Sequence, residues 1–273
     1  MQNVSRNFID LCFIQSPSIL ASASRLSGTW AQRADHFIRN HSTIHIFIQI
    51  LPEADKLVMT SNSPHFENRP FLIGSLQISG QQKLSTQHQD DRVFPLTKVC
   101  QFAGNLSDSI TGESTLILMD ISAKDEDALF SLLKAIDKSF TNVVLLNLYG
   151  LQKPTKLINT LCLFAYINKL FIRQHDLEEG TRFVKKIALG VEAGCLRMYV
   201  EEGKVIDVSS DLMSHWKKSS KKWKTVFIAE RWLISRSNNV FLNTAQVEVK
   251  KYGSITMEIG KDPYCPYICL KFG

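Results

Sequence analysis

The stretch Thr115–Gly150, TLILMDISAKDEDALFSLLKAIDKSFTNVVLLNLYG, decides how this chain is read. Thr115 to Asp120 is a compact apolar strand that ends on an aspartate, and Asn142 to Tyr149 is a second apolar strand. Between them, Asp125 to Ile136 carries an aspartate cap, an acidic first turn and good helix formers, so local propensity predicts a helix. Strand, aspartate, helix and strand in that order form the core of a parallel α/β sheet.

Upstream, Phe8 to Gln15 reads as a short strand and Ser16-Pro17 as a helix start. Ser18 to Asn40 then has helical period, with Ile19, Ala23, Leu26, Trp30, Ala34 and Phe37 on one face and Arg25, Arg33, His36 and Arg39 on the other. Ser42–Leu51, Lys56–Thr60 and Pro70–Ser79 read as strands, the run 80–92 as a loop, and Val93–Ser107 as a strand entering a short helix. His41 and His45 lie four apart without an HExxH pattern and read as strand histidines.

Downstream, Pro154 to Arg173 reads as a second long helix, and the chain from Phe183 onward as mostly strands. Leu196, Met198 and Val200 alternate up to a turn at 201–203, and Val205–Val208 returns. Thr225–Ala229 is a strand and Glu230–Asn238 a short helix. In the next hairpin, which turns at Tyr252-Gly253, Val247, Val249, Ile255, Met257 and Ile259 are expected on one face and Glu248, Lys250, Thr256 and Glu258 on the other. Tyr264–Phe272 closes as a strand.

With 273 residues, 44% hydrophobic and 21% charged, the chain suits a globular protein of two modest domains and excludes disordered or fibrous classes. No apolar run reaches a membrane span, because Leu157–Ile172 is broken by Asn159, Thr160, Asn168 and Lys169. The opening MQNVSRNFID lacks a signal-peptide core, so an intracellular protein is expected. Its six dispersed cysteines suit a reducing compartment, and Cys265 with Cys269 lacks a second ligand pair for zinc, so no metal and no cofactor is expected. The net charge of +6 is uneven, since eleven basic and four acidic residues from Lys217 onward give +7 there. That points to a polyanionic partner. In HWKKSSKKWK, His215–Lys224, lysines interleave with two tryptophans, a pattern that either tracks phosphates while an indole stacks on a base or forms a solvated loop.

Both halves of the chain read as strand, long helix, strands, strand with short helix, strands, which suggests an internal duplication. On that order the chain resembles the DNA sliding-clamp family, proliferating cell nuclear antigen and the checkpoint-clamp subunits. The likeness is best in VFIAERWLISRSNNVFLNTAQVEVKKYGSITMEIGKDPYCPYICLKF, then IALGVEAGCLRMYVEEGKVIDV and TLILMDISAKDEDALFSLLKA. The resemblance implies an α+β fold with two similar clamp-type domains, 1–134 and 142–273, joined by a connector at 135–141. Each would be a curved, mostly antiparallel sheet with two helices on one face, and the resemblance requires a strand hairpin turning at Asp125-Glu126, which a helix over Asp125–Ile136 excludes. The implied function is non-catalytic: a subunit of a ring-shaped trimer that encircles double-stranded DNA in the nucleus and tethers replication, repair or damage-checkpoint factors. Its partners would be other clamp subunits in a homo- or heterotrimer, a clamp loader and DNA-processing proteins, with no membrane. Channel residues would be Arg25, Arg33, Arg39, Lys98, Lys156, Lys169, Arg173, Arg231 and Arg236, contacting phosphates without reading sequence. Phe140 and Leu270 would line a groove for partner peptides.

If Asp125–Ile136 is a helix, the arrangement around Asp120 resembles instead the methyltransferase domain of viral polymerases, whose strand-end aspartate belongs to the catalytic group. Asn147 stands where that family has its catalytic lysine, and no glycine-rich cofactor loop precedes Asp120, so the resemblance implies a degenerate, inactive nucleic-acid methyltransferase-like protein. A third likeness is to the phosphopeptide-binding BRCT repair module, whose tryptophan-bearing helix FIAERWLIS resembles.

Overall fold

A computed structural model describes residues 5–51, 56–62, 71–80, 92–106, 109–136, 140–148, 150–152, 154–164, 166–174, 177–201, 203–218, 223–229, 247–260 and 267–273. The chain is α+β in class and divides into two compact units, Met1–Asn142 and Val143–Gly273.

The first unit opens with α1 (Arg6–Gln15), where a strand is expected. Ser5 caps it by accepting from the Phe8 N–H at 3.2 Å, and Ile9 and Phe13, four residues apart, bury fully on one side. The region 18–40 is not one helix. A 3-10 turn (Pro17–Ile19) runs into α2 (Leu20–Ala23), and the chain turns at Gly28, whose φ of 75° suits glycine, before α3 (Thr29–Asn40). Ala23, Ala34 and Phe37 still join Ile9 and Phe13 in one core cluster on Leu72, with Phe13 edge-on to both Trp30 and Phe37. Leu26, expected on that face, is exposed beyond the break.

The sheet of this unit runs β5-β3-β1-β2-β4, formed by β1 (Ser42–Ile50), β2 (Lys56–Ser61), β3 (Phe71–Ser79), β4 (Arg92–Pro95) and β5 (Ile110–Met119). The β1–β2 and β2–β4 pairs are antiparallel, but β1–β3 and β3–β5 are parallel, so the centre is not the antiparallel sheet of the clamp expectation. Helix α4 (Leu96–Leu106) leads back toward β5. After β5 comes α5 (Glu126–Ile136), preceded by a 3-10 turn over Ala123–Asp125. Of the two readings of this segment, a helix or a hairpin turning at Asp125-Glu126, the chain adopts the helix that local propensity predicts. Ala128, Leu129, Leu132, Leu133 and Ile136 form its buried stripe, and Asp125 ties down its start by accepting from the Ser122 N–H at 2.8 Å and hydroxyl at 2.6 Å.

The second unit holds β6 (Asn142–Leu146), α6 (Pro154–Cys162), β7 (Lys169–Arg173), α7 (Leu177–Gly190), β8 (Cys195–Tyr199), α8 (Val205–Lys218), β9 (Thr225–Ala229), β10 (Val247–Tyr252), β11 (Ile255–Gly260) and β12 (Tyr267–Phe272). The long helix expected over 154–173 is thus a shorter helix followed by a strand, and two helices occupy much of the region read as strands. In α8, Val205, Val208 and Leu212 recur at helical spacing, with Asp207 in the first turn and Lys217 and Lys218 in the last, where each complements the helix dipole.

Strand order is β10-β11-β12-β9-β8-β7-β6. The β7–β8 and β8–β9 pairs are parallel, whereas β9–β12, β12–β11 and β11–β10 are antiparallel. Right-handed crossovers taken twice in the same direction put α7 and α8 on one face. Under them lie Leu170, Ile172, Leu196, Met198, Val226 and Ile228, all buried. In the last hairpin Tyr252 pairs with Ile255 and Val249 with Glu258, a register that puts Val249 on the exposed side with Glu258, against the expected faces. A one-residue difference in register swaps every side chain of a strand. The helix expected at 230–238, and with it most of FIAERWLIS, lies outside the described residues.

Candidate nucleic-acid interface

Each unit places an unusual residue directly beyond one of its strands. In the first unit Asp120 follows β5 with φ 53°. The neighbouring chain fits closely against it: Gly80, directly after β3, donates its N–H to the Met119 carbonyl at 3.1 Å, and a Cβ at Gly80 would meet the Asp120 carbonyl oxygen at 2.2 Å. Asp125 and Glu126 are buried nearby in sequence at the start of α5. In the second unit Asn147 follows β6, also with φ 53°; it is buried and donates its N–H to the Arg173 carbonyl at 2.8 Å. Asp120 and Asn147 are the two non-glycine residues with positive φ among the described residues. Such backbones cost about 1 kcal/mol or more and collect at functional positions. Asn147 brings an amide, which takes and gives hydrogen bonds but does not exchange protons near neutrality.

Of the expected channel residues, Arg25 sits exposed after α2 and Arg39 exposed on the last turn of α3. Arg33 is engaged: its guanidinium pairs with both carboxylate oxygens of Asp10 on α1, Nε to Oδ1 at 3.0 Å, and that bond raises its pKa. Lys98 on α4 is exposed with its ammonium 5.0 Å from the Phe94 ring centroid. Lys156 is exposed on α6, Lys169 opens β7, and Arg173 ends β7 half-buried. Arg231 and Arg236 lie outside the described residues. Phe140 and Leu270 are completely buried, so neither lines a surface groove.

The tryptophans of HWKKSSKKWK are also absorbed by packing. Trp223 is 1% exposed and donates Nε1–H to the Val191 carbonyl at 3.4 Å, while Trp216 on α8 packs 4.9 Å from the Phe272 ring. Lys217 and Lys218 remain exposed at the end of α8.

What the sequence pattern did not reveal is the second face of the β6–β12 sheet, over which no helix packs among the described residues. Cross-strand partners there form rows. Lys169, Cys195, Thr225 and Lys271 make one; Phe171, Arg197, Phe227, Cys269 and Glu258 make the next. Arg197 lies over the Phe227 ring at 5.3 Å, Phe171 is edge-on to Tyr199 at 5.7 Å, and Phe227 stacks with Tyr267 at 5.2 Å. Lys271 pairs with Glu258, which raises the lysine pKa, and burial pushes the Cys269 thiol up, helped by Glu258. Alternation alone hides this face, because its residues read as the outward half of ordinary strands.

The described cysteines 12, 100, 162, 195 and 269 are free thiols, and no group of three metal-ligating side chains occurs among the described residues. No described helix is long and apolar enough to cross a membrane. No family model matches the chain, and no curated protein or solved structure matches it significantly.

Proposed function

We propose that the protein is a non-catalytic, nucleic-acid-binding chain of degenerate methyltransferase-like build. The observation that carries this reading is the helix that follows Asp120: strand, aspartate, helix and strand stand in the order that resembles the methyltransferase domain, with an amide, Asn147, where that family has its lysine. The charge pattern supplies the partner. A chain with +7 gathered from Lys217 onward attracts a polyanion at long range.

The clamp reading is the alternative. Arg25 and Arg39 are exposed as a channel lining would need, but the parallel centre of each sheet and the helix at Glu126–Ile136 differ from what a clamp subunit requires. Native mass measurement together with mobility shifts tests both. The methyltransferase-like reading expects a single copy of 31.0 kDa, salt-sensitive binding of nucleic acid, and no methyl transfer from S-adenosylmethionine. Methyl transfer above background would overturn the non-catalytic assignment, absence of nucleic-acid binding would overturn the reading altogether, and a ring-shaped trimer retained on duplex DNA would return the clamp.

A further inference from the structure

Of the indoles that the sequence offers for base stacking, Trp223 is buried and Trp216 is half-buried against Phe272, so a broad stacking surface has to be sought among other residues. The face of the β6–β12 sheet over which no described helix packs supplies one. Strands lie about 4.8 Å apart, which places Phe171 and Phe227 roughly 10 Å from each other with Arg197 between them. Lys169 and Lys271 stand one row away at opposite ends, both exposed, as is Arg197. Glu258, already paired with Lys271, is the one carboxylate on this face among the described strand residues. The face is therefore net positive and aromatic at once.

We infer that this face binds single-stranded nucleic acid, an inference that rests on the nucleic-acid reading above and names its site and substrate class. Phosphates would track the Lys169, Arg197 and Lys271 cations, and unpaired bases would lie against Phe171 and the Arg197–Phe227 pair. A broad sheet suits splayed bases, whose faces are free, and not a duplex, whose bases already stack on one another.

The test uses the full chain and fluorescence anisotropy with labelled twelve-nucleotide probes: oligouridylate, oligothymidylate and a duplex of equal length. Both single strands should bind more tightly than the duplex, and any difference between them reports RNA against DNA. The double variant R197Q/F171L should weaken single-strand binding about tenfold or more, within the range for losing a cation and a stacking ring. Arg197→Lys should retain most of the affinity, and Lys134→Gln on α5 should leave it unchanged. As a readout that needs no variant, bound oligonucleotide should slow alkylation of Cys195, which adjoins Lys169 and Thr225 in register. Single-strand binding that R197Q/F171L leaves intact, unprotected Cys195, or preference for the duplex would each overturn this site while leaving the nucleic-acid reading standing. No binding to any probe would overturn both.

Discussion

Asp120 and Asn147 hold left-handed backbones that asparagine and aspartate tolerate better than other side chains, so the two residue types and the two conformations explain each other. Around Asp120 the space is tight enough to test. A methyl group on Gly80 would lie 2.2 Å from the Asp120 carbonyl oxygen and 2.7 Å from an Asp125 carboxylate oxygen, and one of those contacts is to backbone that cannot swing away. Gly80→Ala should therefore cost about 1–3 kcal/mol in urea unfolding. A second prediction concerns alkaline pH. Burial, then Glu258, raises the Cys269 thiol above its ordinary value, so the native state holds that proton more tightly than the unfolded chain. The stability this contributes is complete below the unfolded thiol pKa and is lost as pH rises through the folded one. Lys271, raised by its bond to Glu258, acts in the same direction. Urea midpoints should fall as pH rises past the ordinary thiol value of about 8.5, and Cys269→Ala should make that fall shallower.

Among the elements, α5 is the one on which the two readings part, and its exposed side isolates backbone from packing. Ser131 is exposed and donates its hydroxyl to the Asp127 carbonyl at 2.7 Å. Ser131→Pro should cost about 3 kcal/mol or more with loss of circular-dichroism signal at 222 nm, whereas Ser131→Ala should stay within about 0.5 kcal/mol of the parent. In a hairpin turning at 125–126 the proline would remove no helical signal at 222 nm. The same element marks what sequence could yield. Its cap, first-turn acids and apolar stripe are local signals, and they predict the helix directly. The strands Ser42–Ile50 and Phe71–Ser79 were equally legible from their patterning, as was the hairpin turn near Gly253. The helix over 154–173 was overextended because the apolar run of β7 continues that of α6, and periodicity cannot separate a short buried strand from a helix. The apolar residues of α7, Val184, Ile187 and Ala188, with Val191 directly after it, are helical in spacing but lie in a region whose pattern reads as strands. The twofold repeat of the sequence pattern depends on both segments, on a continuous helix over 154–173 and on strands from Phe183 onward. Neither the ion pair of Arg33 with Asp10 nor the burial of Trp223 could be read locally, since each depends on which distant element packs against it.

At the scale of the whole molecule, charge acts in two ways that a salt titration separates. Long-range attraction from the +7 that runs from Lys217 onward sets how often a polyanion arrives, while cations in contact with phosphates set how many counterions binding releases. For single strands the dependence of log K on log salt concentration has a slope of about −0.7 per phosphate neutralised. Lys169, Arg197 and Lys271 on the β6–β12 sheet therefore predict a slope near −2. Lys169→Glu should make it shallower by about 0.7 to 1, with a uniform loss of affinity across base compositions. Lys217 and Lys218 provide the comparison, because they are exposed at the end of α8 and already serve the helix dipole there. Their reversal to glutamate should slow association at low salt and cost the helix about 0.3–1 kcal/mol per residue, yet leave the slope of the equilibrium constant nearly unaltered. A slope that follows Lys217 and Lys218 and ignores Lys169 would move the contact surface from the sheet to the end of α8.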